Sequence, residues 1–443
     1  MEHFIKTTLE TFNHTFTLLA VFPLMLIGGL YLTYRLRCVQ VVKMKHGFKY
    51  LFQQDTGSGN QGNISRFEAV STVLAGNFGT GNISGMAVAI ATGGPGALVW
   101  MWIMAFVGAA IQYASCLLGV KYRQLGRNGE YSGGPMYYLH NGLGFKKLGT
   151  LFAILTLFGA ITIGNFVQIN SVILPLSHYG LSPFWSSVGI AVFVGFVILG
   201  GIQRLSKFAA FIVPMKAFLY LATALVILAF HAHLIIPAFK TMFASAFDFS
   251  SVAGGVLGIA ALKALTTGFD RGLFATDAGT GIVPILQASA RSTNPVVDGI
   301  CTLVAPLMVM IVCTMTGLVL LVTGVWENTA LRSTNMVTAA FTKGLGTEWG
   351  AYIVIFSLIL FAYTTVLAWA YCGEKALHYL SGQKAAQYFR YFFIALIPIG
   401  SLIHVDLIWA LADTAVASML VINLIGVLGL SHEVVAETRK FAV

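Results

Sequence analysis

The stretch Gly76-Asn77-Phe78-Gly79-Thr80-Gly81-Asn82 interrupts an apolar run that extends from about residue 67 to 91. A second stretch, Thr266-Thr267-Gly268-Phe269-Asp270-Arg271-Gly272, does the same inside a long apolar segment early in the second half of the chain. Glycine adopts backbone conformations that other residues resist. Asn and Thr bring polar side chains to a depth where hydrocarbon offers no hydrogen bonds. Non-helical backbone persists there only where it lines a cavity or is buried in protein. Two interrupted spans in matching positions of two halves point to the binding site of a membrane transporter.

Composition sets the frame for these two breaks. The chain has 443 residues, of which 57% are hydrophobic and 9% charged. A soluble domain carries about 25% charged residues. The chain is therefore read as a polytopic membrane protein, one transport domain over residues 1–443, with the lipid bilayer as its solvent. The net charge of +10 lies in loops between apolar runs, which argues against a nucleic-acid partner. Cys38, Cys116, Cys301, Cys313 and Cys372 have no paired spacing and read as free thiols, without a disulfide framework or metal site. Glu2, Lys6 and Glu10 precede the first apolar run, so the N-terminus reads as a retained helix and not a signal peptide. No phosphate-binding loop, nucleotide fingerprint, H-E-x-x-H or nucleophile–base pair occurs, and the chain does not read as an enzyme. Energy for active transport then comes from a gradient.

A helix of about 20 apolar residues crosses a bilayer. Eleven candidate spans follow, at 15–34, 67–91, 96–119, 147–174, 184–203, 208–236, 251–290, 299–324, 349–376, 387–403 and 405–431. With the N-terminus outside, the inside loops collect most of the basic residues, among them Arg35, Arg37, Lys43, Lys45, Lys49, Arg66, Lys121, Arg123, Arg127, Lys146 and Lys147. Only Lys6, Lys240, Arg332 and Lys343 fall outside, which fits the positive-inside rule and a cytoplasmic C-terminus. Setting 15–34 aside as an extra helix leaves repeat 1 at 67–236 and repeat 2 at 251–431. The two have opposite orientation and each opens with a broken helix. The predicted fold is thus an all-α membrane protein with a LeuT-like 5+5 inverted repeat and about eleven transmembrane helices.

The breaks supply the candidate site. Amides at Gly79, Thr80 and Gly81, where a half-helix begins, suit a carboxylate. Released carbonyls near Asn77 and Thr80 suit a sodium ion, a hard cation that takes oxygen ligands. Close helix packing by small residues is the competing account; Asn77, Thr80 and Asn82 between the glycines favour the binding account. Gly93-Gly94-Pro95-Gly96 reads as a turn between spans. At the second break, backbone around Thr267, Gly268 and Phe269 is expected to meet an ammonium group. For Asp270, Arg271 and Asp277 two readings stand, a functional one and ion pairing at a gate. Asn165 and Gln168 share a helix face in the fourth span and serve either the site or helix–helix contact. Thr364 and Thr365 form a hydroxyl pair in the ninth span. They either bond back to their own helix or complete a sodium site.

The motifs now assembled resemble one family. Gly79-Thr80-Gly81-Asn82-Ile83 is followed by Gly93-Gly94-Pro95-Gly96-Ala97 and Trp100-Met101-Trp102, then by Gly129-Glu130-Tyr131 and Gly133-Gly134-Pro135-Met136-Tyr137-Tyr138. Gly164-Asn165 with Gln168 and Asn170, Arg271-Gly272-Leu273-Phe274, and Phe361-Ala362 with Thr364-Thr365 and Trp369 complete the set. In this order they resemble the alanine or glycine:cation symporters, also called sodium:alanine symporters, of the amino acid–polyamine–organocation superfamily. The resemblance spans about Gly76 to Asn423. It implies a LeuT-like fold and sodium-coupled import of alanine or glycine through a cytoplasmic (inner) membrane by alternating access. It implies that Gly79 to Asn82 and Phe269 to Leu273 flank the substrate and that Asn165 and Gln168 approach it. Thr364 and Thr365 are implied to bind sodium. Phe269 and Trp369 are expected to close over the substrate side chain. Thr276-Asp277-Ala278-Gly279 stands where the family has Asn-Glu-Ala-Gly. Proton coupling, a glutamine-sized substrate, and a sensor or channel without coupled flux are the competing functions.

Overall fold

The structure, a computed structural model, describes residues 2–53, 62–126, 129–247, 256–403 and 405–441. Arg127, part of the 35–66 loop and the first residues of the segment expected to begin at 251 lie outside the described residues. The chain is helical nearly throughout, as hydrocarbon demands of any segment whose backbone cannot bond to water.

The first span is assembled from α1 (Glu2–Phe16), a π-helical turn at Thr17–Val21, and α2 (Phe22–Arg35). Two short helices follow in the basic loop, α3 (Val39–Val42) and α4 (Met44–Phe52). The expected first interruption is present. It consists of α5 (Arg66–Asn77), a 3-10 turn at Thr80–Asn82, and α6 (Ser84–Gly93). A reciprocal cap opens α5: the Glu68 amide donates to Ser65 Oγ at 3.2 Å, and the Ser65 amide donates to the Glu68 carboxylate at 2.8 Å. Gly94, at φ 72°, makes the turn that the Gly-Gly-Pro-Gly sequence predicts. From it α7 (Ala97–Lys121) returns. A small hairpin, β1 (Gln124–Leu125) against β2 (Tyr131–Ser132), leads into α8 (Pro135–Asn141).

The fourth span joins α9 (Lys146–Ile161) to α10 (Gln168–His178) through a π-helical turn at Thr162–Val167. The extra residue of such a turn is often found at functional sites. Next come α11 (Pro183–Ile198), α12 (Gly201–Phe230) and α13 (Ala232–Phe247). The sixth span thus ends at His231 and not at 236, and α13 is a separate helix. Then follow α14 (Val256–Thr276), α15 (Ile282–Gln287), α16 (Pro295–Thr302), α17 (Val304–Val322) and α18 (Ser333–Leu345). The two spans expected at 349–376 and 387–403 are two helices that meet at Gly382, whose φ of 80° and ψ of -175° are not helical; together, Trp349–Gly400, they are labelled α19. The chain closes with α20 (Val405–Gly429) and the polar α21 (Ser431–Phe441). Lys121 ties α21 to the bundle at 2.8 Å from Glu433. Partial burial pushes the Glu433 carboxyl up, but the Lys121 ammonium and the Tyr122 hydroxyl outweigh it and hold the group below its usual range.

Among the described residues, seven helical stretches are long and apolar enough to cross a membrane alone. The interrupted spans reach across only as pairs of half-helices. The second interruption requires a correction. Thr266 to Gly272 is unbroken helix within α14, and the break lies further on, between Thr276 and Ile282. There Asp277, Gly279 and Gly281 take φ values of 50°, 95° and 90°. The glycines that drew the break too early serve packing. A Cβ on Gly268 would stand 2.3 Å from the Ala97 carbonyl oxygen, so α14 and α7 touch backbone to backbone there. The Thr266 hydroxyl donates back to its own helix, to Leu262 O at 3.0 Å and Lys263 O at 3.2 Å.

Candidate functional site

The two interruptions meet. Asn77 Nδ2, at the end of α5, donates to Thr276 O, at the end of α14, at 2.7 Å. Each break has its backbone groups largely satisfied by side chains, as low-dielectric surroundings require. At the first, Asn82 Nδ2 donates to Asn77 O at 2.7 Å and Gly79 O at 3.2 Å. The Thr80 amide donates to Gln168 Oε1 at 3.0 Å. The Thr316 hydroxyl donates to Asn82 O at 3.0 Å. At the second, Thr280 Oγ1 donates to Asp277 O at 2.8 Å, and Asn423 Nδ2 from α20 donates to Gly279 O at 2.7 Å.

Between them lies a small cavity of about 10 Å³, room for about one water molecule as the structure stands. The first break contributes Gly76, Asn77, Gly79, Gly81 and Asn82; the second contributes Phe274 and Asp277. Ile163 and Gln168 from the fourth span and Thr365 and Trp369 from α19 complete the wall. Three polar atoms of these lining residues are buried without a partner: Asn77 Oδ1, Asp277 Oδ1 and Trp369 Nε1. Unsatisfied buried polar atoms are costly and call for an explanation. Three of them on the wall of one cavity mark a place for a polar ligand.

The cavity gathers many of the residues singled out from sequence. Asn77, Gly79, Gly81, Asn82, Gln168, Thr365 and Trp369 line it. Thr80 is buried beside it with an unpaired hydroxyl. Asn165 is turned elsewhere, donating to Phe393 O at 3.0 Å, and so braces the second half of α19. Thr267, Gly268, Phe269 and Leu273 are absent from the wall. Phe269 packs edge-on to Phe22 with ring centroids 5.1 Å apart. The expectation that released carbonyls at Thr267 to Phe269 hold an ammonium is therefore corrected. Those residues are helical, and they pack against α2, α6 and α7.

Thr365 Oγ1 donates to Ala75 O at 2.9 Å and Gly76 O at 3.1 Å. Thr364 Oγ1 donates to Leu360 O and Phe361 O, both at 3.1 Å. It also accepts from Lys216 Nζ, which donates at 2.9 Å to Phe78 O as well. The Lys216 amine thus stands where sodium was expected among Thr364 and the first-break carbonyls. Sequence reading placed Lys216 within a span but assigned it no role; an ionisable residue at that depth was the signal to follow. The same signal applies to Asp277. Phe274 and Ile163 had no sequence signal beyond apolarity.

Three ion pairs lie among residues that do not line the cavity. Arg271 pairs with Asp413 of α20 at 2.5 Å and lies over the Trp409 ring, 4.9 Å from its centroid. Lys375 pairs with Glu130 at 2.7 Å, and Arg390 with Glu374 at 2.6 Å. Of the acids and bases noted at the second break, Arg271 is the one drawn into such a pair among the described residues.

The sequence profile of the sodium:alanine symporter family matches residues 2–443. A Methanococcus maripaludis protein named sodium/alanine symporter AgcS is 40% identical over 427 residues, 94% of this chain and 93% of that one. An uncharacterized transporter of Haemophilus influenzae is 40% identical over 419 residues, 93% of this chain and 91% of its own. Among solved structures, MhsT in complex with L-phenylalanine superposes with a TM-score of 0.63 at 12% identity, covering 86% of this chain and 93% of that one. The fold is LeuT-like.

Proposed function

The chain belongs to the sodium:alanine symporter family, and from that premise we propose that it carries a small neutral amino acid across the cytoplasmic (inner) membrane together with a cation. The observation that carries this reading is the cavity between the breaks, with Asn77 Oδ1 and Asp277 Oδ1 unpaired on a wall that also includes Gly79 and Gly81. A zwitterion fits that chemistry. Its ammonium meets Asp277 and Asn77, in place of the carbonyls first expected. Its carboxylate meets amides of the Gly79-Thr80-Gly81 turn and competes with Gln168 for the Thr80 amide. Ile163, Phe274 and Trp369 then bound the side chain. A pocket wall resolves one methylene by about 1–3 kcal/mol, so preference falls stepwise from alanine or glycine upward. Serine and cysteine compete in part. Arginine and glutamate bring a further charge for which the wall holds no partner.

Repeat 1 at 67–236 and repeat 2 at 251–431 move against each other in this reading. The Arg271–Asp413 pair closes the outer side, and the Glu130–Lys375 and Glu374–Arg390 pairs close the cytoplasmic side. The N-terminus lies outside and the C-terminus in the cytoplasm. A cysteine placed at Lys146 then stays unlabelled by an impermeant reagent applied to intact cells. Sodium is the cation that the family's name supplies. The test is accumulation of labelled alanine in proteoliposomes under sodium, potassium or proton gradients, with unlabelled amino acids as competitors. Equilibration without accumulation identifies a channel. Binding without flux identifies a sensor. Tight competition by glutamine or by a charged amino acid contradicts the pocket described here.

A further inference from the structure

A groove unrelated to the breaks runs between α7 and α17. Trp102 Nε1 of α7 donates to Thr314 Oγ1 of α17 at 2.9 Å, and further along Gln112 Nε2 donates to Thr302 O at 2.7 Å. Between these tethers α7 presents the small residues Ala105 and Ala109, and an apolar cavity of about 580 Å³ opens. That volume lies within the range of about 300–1,000 Å³ usual for ligand sites. One wall is Trp102, Ala105, Phe106 and Ala109, a stripe along one face of α7. The other follows α17 from its cap residue Leu303 to Met315, about 18 Å at 1.5 Å per residue. That is close to one leaflet of a ~30 Å hydrocarbon core. Phe106, Leu307 and Ile311 are exposed, so the groove is open to the bilayer.

The lining also takes in residues of the basic loop. Gln40 and Val41 of α3 and Met44 of α4 complete it. Gln40 is 3% exposed. Its Nε2 donates to Thr33 Oγ1 at 2.8 Å, whereas its Oε1 is buried without a partner. A buried acceptor on the wall of an apolar groove calls for a donor from outside the chain. Lys43 and Lys45 stand on either side of Met44. Residues 35–52 carry Arg35, Arg37, Lys43, Lys45 and Lys49 and no acid. Among the described residues, no ion pair engages any of these five. The groove therefore combines an apolar trough, an unmet acceptor and uncompensated positive charge.

We propose that this groove holds a single anionic phospholipid whose head group bears a free hydroxyl, a lipid of the phosphatidylglycerol class. One acyl chain lies along α17. The head-group hydroxyl donates to Gln40 Oε1, and the phosphate meets Lys43 and Lys45. The chain alone selects nothing, because lipid tails are as apolar as the groove and gain little by entering it. The head group decides. Phosphatidylcholine has neither a donor nor a net charge. Phosphatidylethanolamine has a donor, but its ammonium cancels the charge that the basic loop attracts. The inference goes beyond the transport reading and holds whatever the cargo is.

The two walls of the groove carry contacts to the two breaks. Thr316 of α17 donates to Asn82 O at the first, at 3.0 Å. Gly108 of α7 packs against the second so closely that a Cβ there would stand 2.9 Å from the Ala278 Cβ. A lipid seated between α7 and α17 fills the gap left by Ala105 and Ala109 and braces both helices where they bear on the breaks. Its binding then appears as added stability of the whole protein, since a ligand that binds only the folded state raises the unfolding temperature.

The full chain in an uncharged detergent is titrated with dioleoyl phosphatidylglycerol, phosphatidylethanolamine or phosphatidylcholine. Native mass spectrometry counts bound lipid, and thermal unfolding reads its effect. One phosphatidylglycerol binds about tenfold or more tightly than either of the others and raises the unfolding temperature; its deacylated head group, glycerophosphoglycerol, does neither. Gln40→Leu weakens binding by about two- to tenfold. Lys43→Gln with Lys45→Gln weakens it by about tenfold or more, whereas Lys147→Gln, remote from the groove, leaves it unchanged. Ala109→Phe fills the groove and abolishes binding. Unfolding without lipid checks that this variant is folded, and if it is not, the Gln40 and lysine variants decide. Equal binding of phosphatidylcholine overturns the proposal, as does phosphatidylglycerol binding that persists in folded Ala109→Phe or is unaffected by the Gln40 and lysine variants. Stabilisation by the deacylated head group overturns it in favour of a free phosphate ester. A dimer that Ala109→Phe dissociates overturns it in favour of a second copy of the chain.

Discussion

The two interruptions solve one problem with different chemistry. At the first, Asn77 to Asn82, the chain carries no charge of its own. Its released groups are met by Asn82 from within and by Gln168, Thr316 and Lys216 from three other helices. At the second, the chain carries Asp277 in left-handed backbone and leaves one carboxylate oxygen unpaired toward the cavity. One break borrows a lysine amine from α12; the other offers a carboxyl group of its own. In the function proposed above, the first is a framework of dipoles and the second supplies the acidic group of the site.

The sharpest way to break this contrast is to neutralise that acidic group. Asp277→Asn keeps the shape and removes the anion. Neutralising one partner of a buried charge pair costs about 2–5 kcal/mol, which lowers alanine affinity by about thirtyfold or more. Saturation of labelled alanine uptake measures it, with thermal unfolding in the absence of ligand as the check on folding. An unchanged half-saturating concentration would make the two breaks equivalent dipole sites.

Bulk at the first break is the next test. A Cβ on Gly81 would stand 2.9 Å from the Phe274 ring across the cavity, whereas one on Gly85 would meet nothing within 4 Å. Gly81→Val therefore costs about 1–3 kcal/mol in strain and fills the space that the carboxylate needs. Uptake falls about tenfold or more, and Gly85→Ala leaves it unchanged. Full activity in Gly81→Val would move the substrate away from this turn.

These two glycines show how much of the site was legible in the chain. The first break was read in place because Asn77, Thr80 and Asn82 alternate with glycines. Polar side chains there signal backbone that needs partners. The second was read about ten residues too early because Gly268 and Gly272 look like Gly279 and Gly281. The first pair lets α14 lie against Ala97 and Met101 of α7; the second pair takes positive φ. Residue type alone does not separate close approach from unwinding. Asp277, next to Gly279, was the distinguishing mark, since a carboxylate at that depth needs a reason. Lys216 was obscured for a related reason. Its partner oxygens come from Phe78 and Thr364, remote in sequence, and only folding brings them to one point.

Gly268→Ala tests the packing role directly. The added methyl would press on the Ala97 carbonyl oxygen and on Trp100. The cost of about 1–3 kcal/mol appears as a lower unfolding temperature, while the protein that remains folded binds alanine with wild-type affinity. Loss of affinity without loss of stability would return the substrate to the neighbourhood of Thr267 to Phe269.

The smallest expected effect separates the two threonines of α19. Thr364 serves Lys216, but Thr365 serves the end of α5 through Ala75 O and Gly76 O. Thr365→Val keeps the branched shape and removes the donor. Hydrogen bonds between membrane helices average about 0.6 kcal/mol, so the half-saturating alanine concentration rises by about threefold. Thr365→Ser, which keeps the hydroxyl, stays near wild type. The informative feature is how the change depends on the driving ion. A hydroxyl that only holds the α5 terminus in place weakens transport equally under every gradient. A hydroxyl that ligates sodium weakens it only where sodium drives uptake, and raises the sodium requirement. The second outcome would place a sodium ion beside Thr365, the residue next to Lys216's partner Thr364, and would give the first break a cation of its own.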